Sequence, residues 1–171
     1  MSATAGDELV DVVDDDGRVV GTVTRREMRA RRLPHRSTYI LVFDPRGRLF
    51  IHLRTAGKDV FPSHWDVAIG GVLAAGEEFD PGARREGREE LGVDLPLERL
   101  FPVRYADAAT IVLGMAYRAI HPGPFRLQPE EVVRGEFVSI DAVRTRAATT
   151  PFCPDGLFVL AEYQRWNAAR S

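Results

Sequence analysis

The most informative part of the sequence is GGVLAAGEEFDPGARREGREELGV, which runs from Gly70 to Val93. Its second half predicts a helix with clear ends. Asp80 is a favourable N-cap residue and Pro81 a favourable first helical residue. Gly92 is a typical C-terminal stop. We therefore expect a helix of about three turns over residues 81–91.

The predicted helix has three distinct sectors when its residues are placed at about 100° each. Ala83, Gly87 and Leu91 form a small apolar sector; Glu86, Glu89 and Glu90 an acidic one; and Arg84, Arg85 and Arg88 a basic one. A glycine inside a helix costs roughly 1 kcal/mol relative to alanine. Gly87 is therefore expected to serve packing, by letting the helix backbone approach a sheet closely.

The acidic sector has two interpretations. Three carboxylates at i, i+3 and i+4 repel one another, and a bound divalent cation would remove that repulsion. Magnesium suits such a site because it takes oxygen ligands and is commonly shared with substrate phosphates. The alternative is a solvated helix face, in which Arg85 and Glu89 form an i, i+4 ion pair.

The rest of the chain alternates strands and helices without a regular β-α-β rhythm, which predicts a mixed sheet flanked by helices. Two short β-branched runs around Asp14–Gly17 predict an N-terminal hairpin, and Thr24 with Glu27 predicts the start of a short helix. The other predicted strands cover residues 37–43, 48–54, 65–73, 100–105, 110–120 and 132–140. Further helices are predicted at 140–147 and 156–168.

Composition excludes several classes of protein. The 171 residues carry a formal net charge of −2, which does not favour a nucleic-acid partner. No apolar run approaches the ~18 residues that span a membrane, and the acidic N-terminus does not resemble a secretory signal. The single cysteine, Cys153, allows no internal disulfide and is expected to be a small packing residue. We therefore expect a cytoplasmic protein of one domain.

A longer pattern extends from Gly71 to Val93. It reads Gly, five residues, Glu, seven residues, Arg-Glu, an apolar residue, any residue, Glu-Glu, any residue, Gly and an apolar residue. Eight of the nine specified positions match over 23 residues, and Gly87 replaces the usual larger apolar residue. The stretch resembles the Nudix box of the Nudix hydrolase superfamily. The resemblance implies an α/β fold, a Nudix α/β/α sandwich with a mixed β-sheet and an N-terminal β-hairpin extension. One domain would cover residues 1–171, with the hairpin and short helix in about 1–33 and the core in 34–171.

The same resemblance implies roles for the residues of the box. Glu86, Glu89, Glu90 and the carbonyl of Gly71 would bind Mg²⁺ or Mn²⁺. Arg85 would orient Glu86, and Glu77 would pair with arginine to hold the loop and helix together. Metal ions bring a diphosphate to carboxylates that would otherwise repel it, and they activate a water for attack. The candidates for the catalytic base are Glu86, Glu130 and Glu131. Glu130 and Glu131 fit equally well as residues of a solvated loop without a catalytic role.

Segments outside the box resemble the isopentenyl-diphosphate isomerase branch and its hydrolase relatives. These segments are DELVDVVDDDGRVVGTVTR, LPHRSTYILVFDPRGRLFIHLRTAGKDVFPSHWD and PFCPDGLFVL. In that branch an Arg and a Lys four residues later hold the substrate diphosphate, a spacing that Arg54 and Lys58 match. Both side chains suit phosphate oxygens, although two ordinary loop cations would look the same in the sequence.

Three functions are compatible with these features. The leading hypothesis is a divalent-metal-dependent hydrolase that cleaves the diphosphate linkage of nucleoside diphosphate-X compounds, with small-molecule substrates and no nucleic-acid or membrane partner. The isomerase is disfavoured because its pattern places Cys and a metal-binding His at the positions of Gly70 and Val72. A nucleotide-sensing module without catalysis is the third hypothesis, and the intact Glu set argues against it. If the protein associates, a homodimer is expected, because two-fold dimers are the commonest oligomers.

Overall fold

A computed structural model of the protein describes residues 2–171, so that Met1 lies outside the description. The chain begins with a short 3-10 helix, Ala5–Asp7. The strands are β1 (Leu9–Val13), β2 (Val19–Thr24), β3 (His35–Phe43), β4 (Leu49–Arg54), β5 (Trp65–Asp66), β6 (Glu98–Ala106), β7 (Ile111–Ile120) and β8 (Val132–Val138). The helices are α1 (Arg25–Ala30), α2 (Phe79–Leu91), α3 (Ile140–Ala147) and α4 (Pro154–Ala168). Within residues 2–171, none of these helices combines the length and apolarity that a bilayer crossing requires.

A single eight-stranded mixed sheet organises these elements. Its centre is β3, which runs parallel to β7 over nine residue pairs, from His35 opposite Val112 to Phe43 opposite Ile120. The β1–β2, β3–β4, β4–β8 and β6–β7 pairs are all antiparallel. The N-terminal hairpin joins the sheet where Val12 pairs with His35. The mixed sheet and the hairpin extension predicted from the sequence are both confirmed.

Alternation along β3 places one helix layer on each face of the sheet, because successive strand residues point to opposite sides. One face packs Tyr39, Leu41 and Phe43 with Val143 of α3 and Val159, Leu160 and Tyr163 of α4. The other face packs Ile40 and Val42 with Ala83 and Leu91 of α2. The result is the predicted α/β/α sandwich. The division into a hairpin region and a core within one domain stays a prediction.

The start of α2 differs from the sequence prediction. The N-cap is Glu78 and the helix begins at Phe79, so Asp80 lies in the first turn instead of capping it. The side chain of Asp80 accepts hydrogen bonds from Arg99 at 2.7 Å and from the hydroxyl of Tyr117, which tie the helix to β6 and β7. The predicted end is confirmed, since Gly92 is the C-cap with φ 69°.

The strand predicted over residues 65–73 is wrong beyond its first two residues. Only Trp65–Asp66 forms a strand, and the following residues meet β3 through isolated bridges at Ile69 and Val72. Gly70 has φ +145°, and a Cβ there would lie 2.1 Å from the carbonyl oxygen of Thr38. This close approach of two backbones interrupts a regular strand ladder.

The expectation for Gly87 is only partly correct. The small apolar sector is buried, but a Cβ at Gly87 would meet Leu95 at 3.1 Å, in the segment after the helix instead of in the sheet. The tightest approach along α2 is at Gly82, where a Cβ would lie 2.2 Å from Leu73. Both glycines therefore serve packing, each against a leucine side chain.

Candidate active site

The acidic sector of α2 lies at the edge of the core. Glu86 and Glu90 are buried, with 8% and 7% of their surface exposed, whereas Glu89 is exposed. Their spacing of four residues puts Glu86 and Glu90 on neighbouring turns of one helix face. Carboxylates are almost never buried without a partner. A pair of buried glutamates therefore requires a physical explanation that a solvated helix face does not supply.

Arg85 organises the predicted catalytic residues into one network. Its Nε and Nη2 donate to the two carboxylate oxygens of Glu77 at 2.7 and 3.0 Å. Its Nη1 donates to Glu86 at 3.0 Å and to Glu89 at 3.1 Å. Glu77 also accepts from the backbone amide of Ala74 at 3.0 Å, which fixes the loop before α2. The ion pair predicted for a solvated face, Arg85 with Glu89, is thus one contact in a larger structural network.

The electrostatics of the carboxylates differ with their partners. Burial alone would raise the pKa of Glu77, but the hydrogen bonds from Arg85 and Ala74 outweigh it and lower that pKa. Burial raises the pKa of Glu86, opposed by Arg85 and reinforced by Glu89. Burial and the neighbouring Glu86 hold the pKa of Glu90 well above its ordinary value. Negative charge on Glu86 and Glu90 is therefore costly unless a cation accompanies it.

The side chains of Glu86, Glu89 and Glu90 are of the type that binds a divalent cation, although they do not form a compact cluster. Across residues 2–171, no three His, Cys, Asp or Glu side chains converge closely enough to hold a metal ion. Glu86 and Glu89 turn towards Arg85, and the described side chains donate no hydrogen bond to Glu90. The donor set is made of carboxylate oxygens, which Mg²⁺ and Mn²⁺ prefer. The buried and unbonded carboxylate of Glu90 is the specific feature that a cation would satisfy.

Gly71 lies directly over the carboxylate of Glu86. A Cβ at Gly71 would lie 2.9 Å from Oε1 and 3.2 Å from Cδ of that side chain. The carbonyl oxygen of Gly71 accepts a hydrogen bond from the amide of Thr38 at 3.0 Å. Any larger residue at this position would displace the Glu86 carboxylate, while the carbonyl predicted as a metal ligand already accepts a hydrogen bond from β3.

The predicted diphosphate-binding cations lie beside the acidic residues. Arg54, at the end of β4, donates to the carbonyls of Val60 at 2.8 Å and Phe61 at 3.3 Å. Lys58, in the following loop, forms an ion pair with Glu131. Both cations lie close enough to lower the pKa of Glu90 electrostatically. Positive charge and the carboxylates of α2 therefore converge on one region.

The two glutamates considered as alternative bases occupy different positions. Glu131 is half-buried, pairs with Lys58 and adds to the negative charge near Glu90. Glu130 is exposed, and only its backbone carbonyl makes a contact, accepting from the hydroxyl of Thr55 at 3.0 Å. The segment is held against α2 because the amide of Gln128 donates to the carbonyl of Glu90 at 3.2 Å. Glu131 is thus beside the site, whereas Glu130 is exposed to solvent.

A cavity beside Arg54 and Lys58 is lined in part by residues that no short sequence pattern singles out. It is lined by Arg54, Lys58, Gly71, Thr38, Tyr39, Asp66, Cys153 and Asp155, together with Arg25, Arg29 and several apolar side chains. Asp66 follows the Trp of β5, and Asp155 lies in the first turn of α4, where an acid is expected simply as a helix-end residue. Only the packing of α4 against β5 in the folded protein makes them neighbours.

Cys153 is brought next to Asp66, although it is distant in sequence. It is 1% exposed, and burial raises the pKa of its thiol, so it has no thiolate character near neutrality. Gly70 stands at the position where the isomerase pattern requires a Cys. The contact with the Thr38 carbonyl leaves no room there for any side chain.

Comparisons with known proteins agree with this geometry. A model of the NUDIX domain matches residues 33–155. A Nudix hydrolase of Streptomyces coelicolor is 40% identical over 169 residues, which cover 97% of this chain and 93% of that protein. The crystal structure of DR0079 from Deinococcus radiodurans superposes with a TM-score of 0.78 at 27% identity, covering 92% of this chain and 98% of the other. The Nudix domain of Shewanella oneidensis NrtR, solved as a complex with ADP-ribose, has a TM-score of 0.63 at 17% identity. The match covers 84% of this chain and 98% of that domain, and at this identity it shows a similar fold only. With the buried glutamates on α2 and the family match over most of the chain, the protein belongs to the Nudix family and is a Nudix pyrophosphohydrolase.

Proposed function

We propose that the protein hydrolyses the diphosphate linkage of nucleoside diphosphate-X compounds with the help of Mg²⁺ or Mn²⁺, as a member of the isomerase-like hydrolase branch. The observation that carries the proposal is the buried pair Glu86 and Glu90, with Arg54 and Lys58 beside it. The buried carboxylates carry charge that a cation would balance, and Arg54 and Lys58, which line a cavity together with Gly71, suit phosphate oxygens. A metal-bound diphosphate satisfies both sets of charges at once.

The residues of α2 have separate tasks in this proposal. Glu86, Glu89 and Glu90 would hold the cation, with the remaining lone pair of the Gly71 carbonyl as a further oxygen ligand. When bound, a divalent cation polarises the phosphorus centre and lowers the pKa of a bound water. Arg85 keeps Glu86 in position, and its two bonds to Glu77 fix the loop that carries Gly71 relative to the helix.

The proton acceptor for the attacking water is assigned by proximity. Glu86 and Glu131 both lie in the acidic region, whereas Glu130 faces solvent. A general base must come within hydrogen-bond reach of its proton, directly or through one water. We propose Glu86 or Glu131 for this role, with Lys58 holding Glu131 in place before substrate arrives.

The phosphate groups would lie between α2 and the loop after β4. Arg54 is anchored by two loop carbonyls, and its guanidinium also lies 3.9 Å from Asp66, so it is held ready in one position. Lys58 would exchange Glu131 for a phosphate oxygen. ADP-ribose, bound in the Nudix domain of Shewanella oneidensis NrtR, is one compound of the proposed class and belongs in the first panel.

The test is hydrolysis of a panel with a matched pair of variants. The panel contains CDP, UDP, ADP-ribose, nucleoside triphosphates, a dinucleotide and isopentenyl diphosphate, each with Mg²⁺ or Mn²⁺. We expect cleavage that falls at least about a hundredfold in Glu90→Gln. Glu162→Gln, which changes a surface glutamate of α4, should retain full activity. Near-normal turnover in Glu90→Gln would overturn the metal assignment, and conversion of isopentenyl diphosphate to its allylic isomer would support the isomerase instead.

A further inference from the structure

The N-terminal helix α1 contributes two arginines to the cavity that contains Arg54 and Lys58. Arg25 and Arg29 lie about one turn apart on α1, and both line that cavity. Burial lowers the pKa of the Arg29 guanidinium against the opposing effect of Asp59, and the charges of Arg25 and Arg54 add to the lowering. The two arginines of α1 therefore lie close to each other and to the cations of the proposed diphosphate site.

Both arginines lie outside the part of the chain that the family model matches. That match covers residues 33–155, whereas α1 spans Arg25–Ala30. The Nudix core therefore does not supply these charges. The N-terminal extension supplies them, so the group that they bind depends on a segment added to the core.

A single carboxylate oxygen holds the two guanidiniums. Nε of Arg25 and Nε of Arg29 donate to the same Oδ2 of Asp59, at 3.1 and 3.0 Å. Nη1 of Arg29 also donates to the hydroxyl of Thr110 at 3.4 Å, and Nη1 of Arg25 lies 3.8 Å from the exposed Glu8. The two arginine side chains are only 18% and 20% exposed. Two largely buried cations thus share one carboxylate, with a weak second contact from a solvated one.

The outer nitrogens of both guanidiniums are available to a ligand. Within residues 2–171, Nη2 of Arg25 and Nη2 of Arg29 donate no hydrogen bond, and Nη1 of Arg25 donates none either. A guanidinium has a planar fork of N–H donors that fits two phosphate oxygens at once. Asp59 contacts only the Nε of each arginine, so it leaves most of that donor capacity unused.

Asp59 occupies the place of an anionic ligand. Burial would raise its pKa, but Arg25 and Arg29 outweigh that effect and hold the pKa well below its ordinary value. Asp59 directly follows Lys58, which pairs with Glu131 in the same way. Each of these cations therefore has a carboxylate of the chain beside it, which an incoming anion replaces.

The space beside these cations has room for a further ligand group. Arg25, Arg29 and Lys58 line the first cavity and also a second one of about 490 Å³, next to the N-terminal 3-10 helix and the loop after β4. Three carboxylates line the second cavity as well: Asp59, Glu130 and Glu131. The three cations shared by both cavities therefore lie at the boundary between them, beside the proposed diphosphate site.

We propose that Arg25 and Arg29 bind a phosphate group that the substrate carries in addition to the diphosphate held beside α2. The inference rests on the proposed function and names a specificity determinant that the N-terminal extension supplies. A phosphate in this place displaces Asp59 and accepts hydrogen bonds from both guanidinium forks. The consequence is a preference for substrates with three phosphate groups over those with two.

The first experiment measures binding of inorganic diphosphate and inorganic tripolyphosphate by calorimetry without metal, so that hydrolysis plays no part. We expect tripolyphosphate to bind wild type roughly tenfold more tightly than diphosphate, and Arg29→Gln to lose that advantage. Arg31→Gln is the matched control, because Arg31 pairs with Glu27 on the exposed side of α1 and lines neither cavity. Equal affinity ratios in wild type and Arg29→Gln would overturn the proposal.

Replacement of Asp59 by asparagine distinguishes a phosphate site from a structural clamp. Asparagine keeps the size of the side chain and removes the charge that competes with phosphate. We expect the affinity for tripolyphosphate to rise roughly tenfold relative to diphosphate. A clamp that only attaches α1 to the loop predicts the opposite, since its loss loosens the site, and a lower ratio in Asp59→Asn would therefore refute the phosphate site. If this variant does not fold, Arg25→Gln repeats the test of Arg29→Gln and leaves Asp59 paired with Arg29.

A kinetic measurement separates this inference from the proposed function. It compares kcat/KM for each nucleoside triphosphate with that for its diphosphate, in the presence of Mg²⁺. We expect the ratio to fall roughly tenfold in Arg29→Gln, to rise in Asp59→Asn and to stay unchanged in Arg31→Gln. Hydrolysis with the same ratio in wild type and Arg29→Gln would count against the phosphate site alone. Absence of hydrolysis, with the tripolyphosphate preference intact, would count against the proposed function alone.

Discussion

Replacement of Gly71 by alanine tests whether the position of the Glu86 carboxylate matters for hydrolysis. The added Cβ would lie 2.9 Å from Oε1, whereas ordinary contacts begin near 3.4 Å. The carboxylate must therefore move by about 0.5 Å, because Gly71 belongs to the backbone that is bonded to β3 and Glu86 is a side chain with free rotations. Arg85 resists that movement through its 3.0 Å bond to the same oxygen.

The expected effect is on turnover and metal affinity more than on stability. With Glu86 in its proposed role as a metal ligand, a displacement of this size should cost roughly 10- to 100-fold in affinity or activity. Alanine also restricts the unfolded chain, which favours the folded state by up to ~1 kcal/mol and partly offsets the contact. The melting temperature should consequently change by only a few degrees.

The assay is the initial rate of hydrolysis at increasing Mg²⁺ concentration, compared with Gly21→Ala. A Cβ at Gly21 of β2 meets nothing within 4 Å, so that variant controls for the chemical change alone. We expect Gly71→Ala to need more Mg²⁺ for half-maximal rate and to reach a lower plateau. Equal curves for the two variants would refute the view that Gly71 sets the position of Glu86.

Three further predictions concern Arg85, Lys58 and Asp66. Arg85→Lys loses the two-point contact with Glu77, since an ammonium cannot replace a planar fork, and should lower both the melting temperature and kcat, as measured by calorimetry and steady-state kinetics. Lys58→Gln leaves Glu131 unpaired beside the acidic region, so KM for nucleotide substrates should rise roughly tenfold with a smaller change in kcat. The pKa of Asp66 is about 7 in the folded protein, compared with an ordinary value of 3.8. Between these two pH values the folded protein keeps the proton on Asp66, whereas the unfolded chain has released it. The free energy of unfolding should therefore fall as pH rises from about 4 to 7, by at most ~1.4 kcal/mol per pH unit, and Asp66→Asn should flatten that slope in urea titrations.

The sequence was sufficient for those features that depend on local patterns. The strand over residues 37–43, the hairpin turn at Asp14–Gly17 and the stop at Gly92 are short-range signals, and the structure has all three. The start of α2 was misplaced because Asp80, a favourable cap in isolation, is bound to Arg99 and Tyr117 from distant strands. A local rule cannot anticipate a partner that lies elsewhere in the chain.

The candidate site likewise contains residues that the sequence predicted and residues that it did not. The box residues Glu77, Arg85 and Glu86 lie close together in sequence and are joined in the structure by the hydrogen bonds of Arg85, and Glu90 is buried on the same helix, while their roles stay predictions. Asp155 and Asp66 were missed because one looks like a helix-end residue and the other like a polar residue within the strand predicted over 65–73. Their meeting depends on the pairing of Trp65 with Phe152, which no short pattern encodes.

The parallel pairing of β3 with β7 has a consequence for how the protein folds. His35 pairs with Val112, so all of α2 and the loop before it lie inside the segment that this contact closes. Contacts between such distant residues require loop closure before they contribute, and folds that depend on them form slowly. The central strands must find each other before Glu86 and Glu90 can be buried. We therefore expect a folding rate set by the chain topology, with the acidic helix docking late and the chain exposed to aggregation until it does.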